Sequence, residues 1–309
     1  MKHLRINILR CALAGAAALI PASFVSAQDE PPPLPLHGIE GYGGIFSTYS
    51  AYVVNPPPKD QILGLPALGF SYVNLGHGRV LSALTVTETI WDRVELGYGF
   101  HNFTLGDLGE DVFAATGMHC GTSAVNMNNF NLRANVLQEN QFGQKWLPAF
   151  TVGAHFKYNA DTKDINKHLQ GTLDQIGAGK DHGVDFTFYF SKMIADPLPV
   201  PVIINAGLRA TEAAHVGLLG FSDHYAWLFE GSMAVMPTSN WIVAAEFRQK
   251  PDQYTAIPGL IEPEDDWVTV DVAYIINSHM TVAAGYGHFG EVLNHTANGS
   301  WGLTFKYEF

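Results

Sequence analysis

The chain has 309 residues, with 29 acidic against 17 basic groups and a formal charge of −12 at neutral pH. That negative excess excludes the phosphate-neutralising surface a nucleic-acid-binding protein needs. Charged residues make up only 15% of the chain and aromatic residues 12%, which excludes a disordered polyelectrolyte.

The first stretch reads as a secretory leader over residues 1–27. Lys2, Arg5 and Arg10 precede an apolar run, Cys11 to Ile20, and Val25-Ser26-Ala27 offers a small-residue cleavage site. Its removal would take Lys2, Arg5 and Arg10 with it, moving the formal charge from −12 to −15. Cys120 would then be the only cysteine, which leaves no intrachain disulfide. No later stretch holds the roughly 18 or more apolar residues of a spanning helix, so any membrane crossing must use strands closed into a barrel. Residues 28–65 read as a periplasmic tether, rich in proline at Pro31, Pro32, Pro33 and Pro35, leading into a possible lumenal plug or first strand. Within it, 38–55 is glycine-rich and alternates poorly, and Pro56-Pro57-Pro58 ends it.

From residue 66 to 309 the pattern is that of a β-barrel domain. Strands are expected at 67–75, 80–90, 93–103, 129–138, 147–158, 183–193, 200–211, 225–236, 240–250, 267–276, 279–289 and 300–309. That makes an all-β, antiparallel, up-and-down transmembrane barrel of about twelve strands. If 43–54 joins the wall, a further strand within 104–128 would bring the number to fourteen. Short turns alternate with long connections, as in outer-membrane barrels. The last strand is the clearest. Trp301, Leu303, Phe305, Tyr307 and Phe309 share one face, and Gly302, Thr304, Lys306 and Glu308 share the other. The same sorting places Phe186, Phe188 and Phe190, Val202 and Ile204, and Trp227 and Phe229 against lipid.

The closing strand resembles that of Gram-negative outer-membrane barrels, whose C-terminal aromatic residue is read by the barrel-assembly machinery. The resemblance assigns Trp301, Phe305, Tyr307 and Phe309 to an assembly signal. Further signatures include Trp91-Asp92-Arg93-Val94-Glu95-Leu96, Trp146-Leu147-Pro148, Gly183-Val184-Asp185-Phe186 and Glu246-Phe247-Arg248-Gln249-Lys250-Pro251-Asp252. With these the chain, from about residue 90 to its end, resembles a group of Proteobacterial exported proteins catalogued as a domain of unknown function and grouped with outer-membrane barrels. The resemblance implies a fold and a cell-outer-membrane location. It implies no ligand and no catalytic residue.

The faces opposite the lipid supply the candidate lumen. Arg93, Glu95, Arg133, His155, Lys157, Asp185, Arg209, Glu230, Glu246, Arg248 and Asp271 are expected to line it. Charges of both signs in a confined interior should pair, because an unpaired buried charge costs several kcal/mol. The expected function is a porin-like passive channel or small-solute uptake protein, its acidic mouth mildly favouring cations. A non-conducting structural or adhesion barrel with working outer loops is the first alternative. The second is uptake of hydrophobic compounds past a lumenal plug at 38–55, which would require an apolar pocket and a lateral opening. Histidines gather at the long-loop end, and His119, Cys120, His182 and His224 are candidate metal ligands by chemistry, although no HxxxH or CxxC spacing occurs. No His–Ser pair two apart lies on an outward face, so no enzyme is expected, and no cofactor. Outer-membrane lipid and the assembly machinery are the expected partners, with the oligomeric state open.

Overall fold

Period-two alternation of apolar and polar residues cannot leave one face bare, and here twelve such strands close on each other. The computed structural model describes residues 37–58 and 61–309. The expected leader and the proline-rich tether up to residue 36 lie outside the described residues. The strands are β1 (Ala67–Asn74), β2 (Arg79–Ile90), β3 (Val94–Leu105), β4 (Ala124–Leu137), β5 (Ala149–Asn159) and β6 (His182–Ile194). They continue as β7 (Val202–Ala213), β8 (Phe221–Val235), β9 (Trp241–Arg248), β10 (Trp267–Ile275), β11 (Met280–His288) and β12 (Ser300–Glu308). Each pairs antiparallel with its neighbours in sequence, and β1 pairs with β12 from Ala67 opposite Glu308 to Asn74 opposite Trp301, which closes the barrel. Closure leaves no sheet edge at the seam, the condition lipid imposes on a strand-built wall.

The observed strands follow the expected ones closely. β4 and β8 begin earlier, at Ala124 and Phe221. Residues 43–54 join no wall strand, so the barrel has twelve strands and not fourteen. No described helix is long and apolar enough to cross a membrane. The outer face is a belt of exposed apolar side chains, among them Phe70, Leu84, Phe130, Phe186, Phe229, Leu303 and Phe305. Trp91, Trp146, Trp241, Tyr274 and Phe309 rim the short-turn end, where aromatic side chains suit the headgroup level.

The two ends differ. One carries the turns 91–93, 195–201, 236–240 and 276–279 with one longer connection, 138–148. The other carries the loops 106–123, 160–181, 214–220, 249–266 and 289–299, besides the tight turn 75–78. The long loops hold structure that strand periodicity did not anticipate: α1 (Leu108–Thr116), α2 (Thr162–His168) and α3 (Thr172–Ile176). In α1, Leu108 and Val112 are one turn apart and both buried, so the helix turns this face inward. Gly117 ends it in the left-handed conformation, φ 72°. The loops therefore fold over the mouth. The main apolar core, including Leu105, Leu108, Val125, Leu218, Ile261 and Phe289, lies at this end rather than along the barrel axis.

Candidate functional site

The lumen is occupied by the chain itself. Residues 37–55 enter from the short-turn end, rise to Ile39 and Glu40, and return to leave beside Thr89 and Glu95. Within the segment the one β-bridge joins Gly44 and Tyr49. Internal backbone hydrogen bonds, such as Gly38 to Tyr42, Ile39 to Phe46 and Ser50 to Gly43, serve part of the segment, and its other buried backbone groups must find partners elsewhere. The wall supplies them. Glu95 accepts from the amides of Gly43 (3.1 Å) and Val54 (2.8 Å) while pairing with Arg133 at 2.9 Å. Across the barrel, Glu246 accepts from the amides of Ser47 (3.0 Å) and Thr48 (2.6 Å) and from the Thr48 hydroxyl at 2.6 Å. Plug carbonyls accept in turn: Ile45 from Lys306 at 3.0 Å, Ser47 from Arg248 at 2.6 Å, Glu40 from Asn131 at 2.8 Å and Ala51 from Asn135 at 3.0 Å.

At the centre sits Glu40, the only acidic or basic side chain between His37 and Pro58. Its carboxylate meets Lys157 at 2.6 Å, Arg209 at 3.2 Å and Arg248 at 3.4 Å, and accepts a short hydrogen bond from the Tyr49 hydroxyl. Asp185 also pairs with Lys157 (2.7 Å) and Arg209 (2.9 Å), and Glu230 with Arg209 (3.0 Å) and Arg248 (2.8 Å). Three acids thus face three bases, and one of the acids comes from the plug. All six are buried. Tyr42 and Tyr49 stack at 3.9 Å, with Tyr42 against His155 at 4.2 Å and Arg209 over Tyr49 at 4.9 Å. Glycine makes room for this packing. A Cβ on Gly97 of β3 would overlap the carbonyl oxygen of Gly41, and one on Gly302 of β12 would meet the Phe46 ring at 2.5 Å.

Of the expected lumen residues, Glu95, Arg133, His155, Lys157, Asp185, Arg209, Glu230, Glu246, Arg248 and Asp271 are buried and inward. They surround plug rather than water. His155 bridges Asn131 and Thr187 at 2.8 and 2.9 Å. Arg93 is different: it lies in the turn before β3, half-buried, and donates to the carbonyl of Asn135 at 3.3 Å at the rim. A residue outside the ladder escapes the alternation that orients the rest. Trp301, Phe305 and Phe309 are exposed on the outer face, with Tyr307 half-exposed beside them. The four candidate metal ligands do not converge. Cys120 is buried in the apolar core, His119 stacks on Phe113, His182 bonds to Asp181 at 2.8 Å, and His224 is exposed on β8. Among the described residues no group of three or more His, Cys, Asp or Glu side chains could hold a metal ion. What the sequence reading missed is Glu40. Its signal was a lone acid in an otherwise uncharged stretch too irregular to be a wall strand.

Above the plug, the mouth encloses apolar voids. One, of about 80 Å³, is lined by α1, α2 and α3 through Leu108, Val112, Ile165, Leu169, Leu173 and Ile176, with Leu218, Leu219 and Ile261. A second, of about 40 Å³, lies against plug residue Ile39 and is lined by Val73, Leu75, Leu81, Phe103, Trp267 and Phe289. Leu218 and Leu219 border both, so the two voids adjoin across these side chains and together make up an apolar chamber, with plug residue Ile39 in the wall of the second. Beside it, Lys250 and Glu264 pair at 2.6 Å and His215 reaches Glu264 at 3.0 Å, all buried, tying the 214–220 and 249–266 loops together.

The family described as "Protein of unknown function (DUF3034)" matches residues 66–306. The chain belongs to this family. The match starts where the barrel starts, so the plug lies outside it. No curated protein matches the chain by sequence. Among solved structures the chain is similar to the KdgM porin, at 6% identity over 79% of this chain and 99% of that one, with a TM-score of 0.47. It is also similar to the P. putida toluene transporter TodX, at 12% identity over 88% and 99% with a TM-score of 0.41. A third is the outer membrane phospholipase A from Escherichia coli, at 9% identity over 80% and 94% with a TM-score of 0.36. The DUF3034 barrel is a closed, twelve-stranded antiparallel β-barrel with an apolar outer face.

Proposed function

We propose that the protein is an outer-membrane uptake barrel for small apolar molecules, captured in the chamber at the long-loop end above a closed lumen. The observation that carries this is the chamber itself. A barrel held by a closed ladder and a lipid-facing belt needs no void in its mouth. An empty apolar cavity of about 80 Å³ destabilises a protein by on the order of 2 kcal/mol. By the same volume measure one water needs roughly 10–15 Å³, so a small ring-sized molecule is within reach once side chains adjust. The lining is mostly aliphatic and aromatic, which selects by apolar burial rather than by hydrogen bonds.

In this reading the short-turn end faces the periplasm, the plug enters from there, and the loops with α1–α3 face outward. Outer-membrane lipid surrounds the belt, and the aromatic C-terminal strand serves the assembly machinery. The protein binds and passes its ligand without a chemical step. Titration of the detergent-purified protein with N-phenyl-1-naphthylamine, followed by probe fluorescence, should give saturable binding. Leu218→Glu, which puts a charge where the two voids meet, should abolish that binding while the barrel keeps its heat-modifiable gel mobility. Equal binding by the variant would refute the chamber as the site.

The inward wall supports a second reading, a polar channel that opens when the plug leaves, since Glu95, Arg133, Glu246 and Lys306 would then line a wet lumen. A passive channel with a permanently open lumen has no support from a lumen filled by Tyr42, Tyr49 and Phe46. Deleting 38–55 separates the readings. Large steady conductance in a planar bilayer, without loss of probe binding, would assign the plug to a polar route distinct from the chamber.

A further inference from the structure

The barrel wall is not continuous at the long-loop end. β8 pairs with β9 only from Glu230 opposite Arg248 to Val235 opposite Val243. One further step follows, where the Gln249 amide donates to the Phe229 carbonyl at 3.0 Å and the Phe229 amide to the Gln249 side chain at 2.8 Å. There the ladder stops. β8 runs on for eight more residues, Phe221–Leu228, of which Ala226, Trp227 and Leu228 pair with β7 and Phe221 pairs again with Ala213 beyond a break in register. The chain after Gln249 meets Pro251, which has no amide hydrogen to continue the ladder. It then turns inward over the mouth. Gln253 donates to the Thr211 carbonyl at 3.1 Å, Tyr254 to that of Leu219 at 2.5 Å, and the Thr255 amide to that of Ile176 at 2.9 Å. The free edge of β8 is left as a notch in the wall.

Three observations join the notch to the chamber. First, directly behind it lies a small void of about 30 Å³ lined by Ala213, Ala214, Leu228 and Pro251 together with the charged side chains of Arg209, Arg248, Lys250 and Glu264. His215, Val216 and Trp267 border both this void and the chamber, so only side chains separate the two. Second, the outer lip is at lipid level. Tyr225 and Trp227 project outward from the free edge, 44% and 62% exposed, and their rings follow on from Phe186 and Phe188 of the lipid-facing belt. Tyr and Trp favour the headgroup boundary. Third, the axial route is closed by the plug, whose Tyr42, Phe46 and Tyr49 fill the lumen and are fully buried.

We propose that the notch between β8 and β9 is a lateral portal through which a small apolar molecule passes between the chamber and the outer leaflet. The proposal rests on the chamber being the binding site and adds the route. It places the moving part in the 249–266 loop, whose Pro251 faces Leu228 across the void. His215 (φ 47°) and Val216 (φ 57°), which border this void and the chamber, hold the inner lip in a conformation rarely adopted by a β-branched residue.

A portal controls rates and leaves equilibrium affinity alone, and this gives the test. Leu228→Cys and Pro251→Cys are introduced in a Cys120→Ala background, and the pair is joined with a short reducible bis-maleimide. The full chain in lipid nanodiscs is loaded with N-phenyl-1-naphthylamine, and exchange is followed by stopped-flow. Joining should slow both loading and release by at least about tenfold, change equilibrium binding in detergent little, and be reversed by reductant. Ala213→Trp, which fills the void without cross-linking, should slow exchange in the same way and covers the case in which the cysteine pair misfolds. Exchange as fast in the joined protein as in the reduced one would overturn the portal and leave the chamber standing. Absence of saturable probe binding to the unmodified protein would overturn both.

Discussion

The central ion network predicts that one charge holds the plug. Glu40→Gln preserves shape and one hydrogen-bond acceptor but leaves Asp185 and Glu230 to face Lys157, Arg209 and Arg248, two acids against three bases. The lost contacts are those at 2.6, 3.2 and 3.4 Å to the three bases. An unpaired buried charge costs about 3–5 kcal/mol, and each 1.4 kcal/mol is tenfold in an equilibrium constant, so the balance between seated and released plug should shift by two to three and a half orders of magnitude, roughly 10² to 4 × 10³. In a planar bilayer the wild type should stay closed and the variant should open intermittently, with a protease-sensitive plug and an intact barrel by gel mobility. Lys157→Met in the same chain restores two acids against two bases and should recover most of the closure. A Glu40→Gln variant as closed and as protease-resistant as wild type would refute charge as the holding force and leave the backbone hydrogen bonds to Glu95 and Glu246 in its place.

Gly97→Ala should release the plug as well, since its Cβ would overlap the Gly41 carbonyl oxygen and neither backbone can yield; plug proteolysis measures it. The loop latch should loosen with acid. Burial, aided by the Lys250 charge, holds His215 below the usual histidine range, so it is neutral at pH 7. Burial would raise the Glu264 carboxyl, but His215 and Lys250 outweigh it and hold it below the carboxylate range. In both cases the unfolded loop binds protons more readily, so stability falls as pH drops below about 6.5 for His215 and again below about 4.5 for Glu264. Trp267 fluorescence followed from pH 8 to pH 3 should report two steps, and His215→Ala should remove the upper one. Deleting Phe309, which stands 48% exposed on the outer face, should lower the fraction of heat-modifiable barrel in the membrane without changing the spectrum of what does assemble.

The sequence by itself determined the wall. In β12, Trp301 to Tyr307 against Gly302 to Lys306 sorts two faces with nothing but the two-residue period, and the same rule placed Asp185, Arg209 and Glu246 inward. Such periodicity is local, so it survives without knowledge of the fold. Arg93 escaped it because it sits one residue outside the ladder. What the period could not decide was what the inward side chains meet. Charges that line water and charges that grip a peptide alternate identically, and only the tertiary structure puts Glu40 between Lys157, Arg209 and Arg248, from a segment between 117 and 208 residues away in the chain. The chamber was equally hidden. Leu108, Leu169, Leu218 and Ile261 lie in four different loops, and apolar residues in loops become a site only when closure of the barrel brings those loops over one mouth.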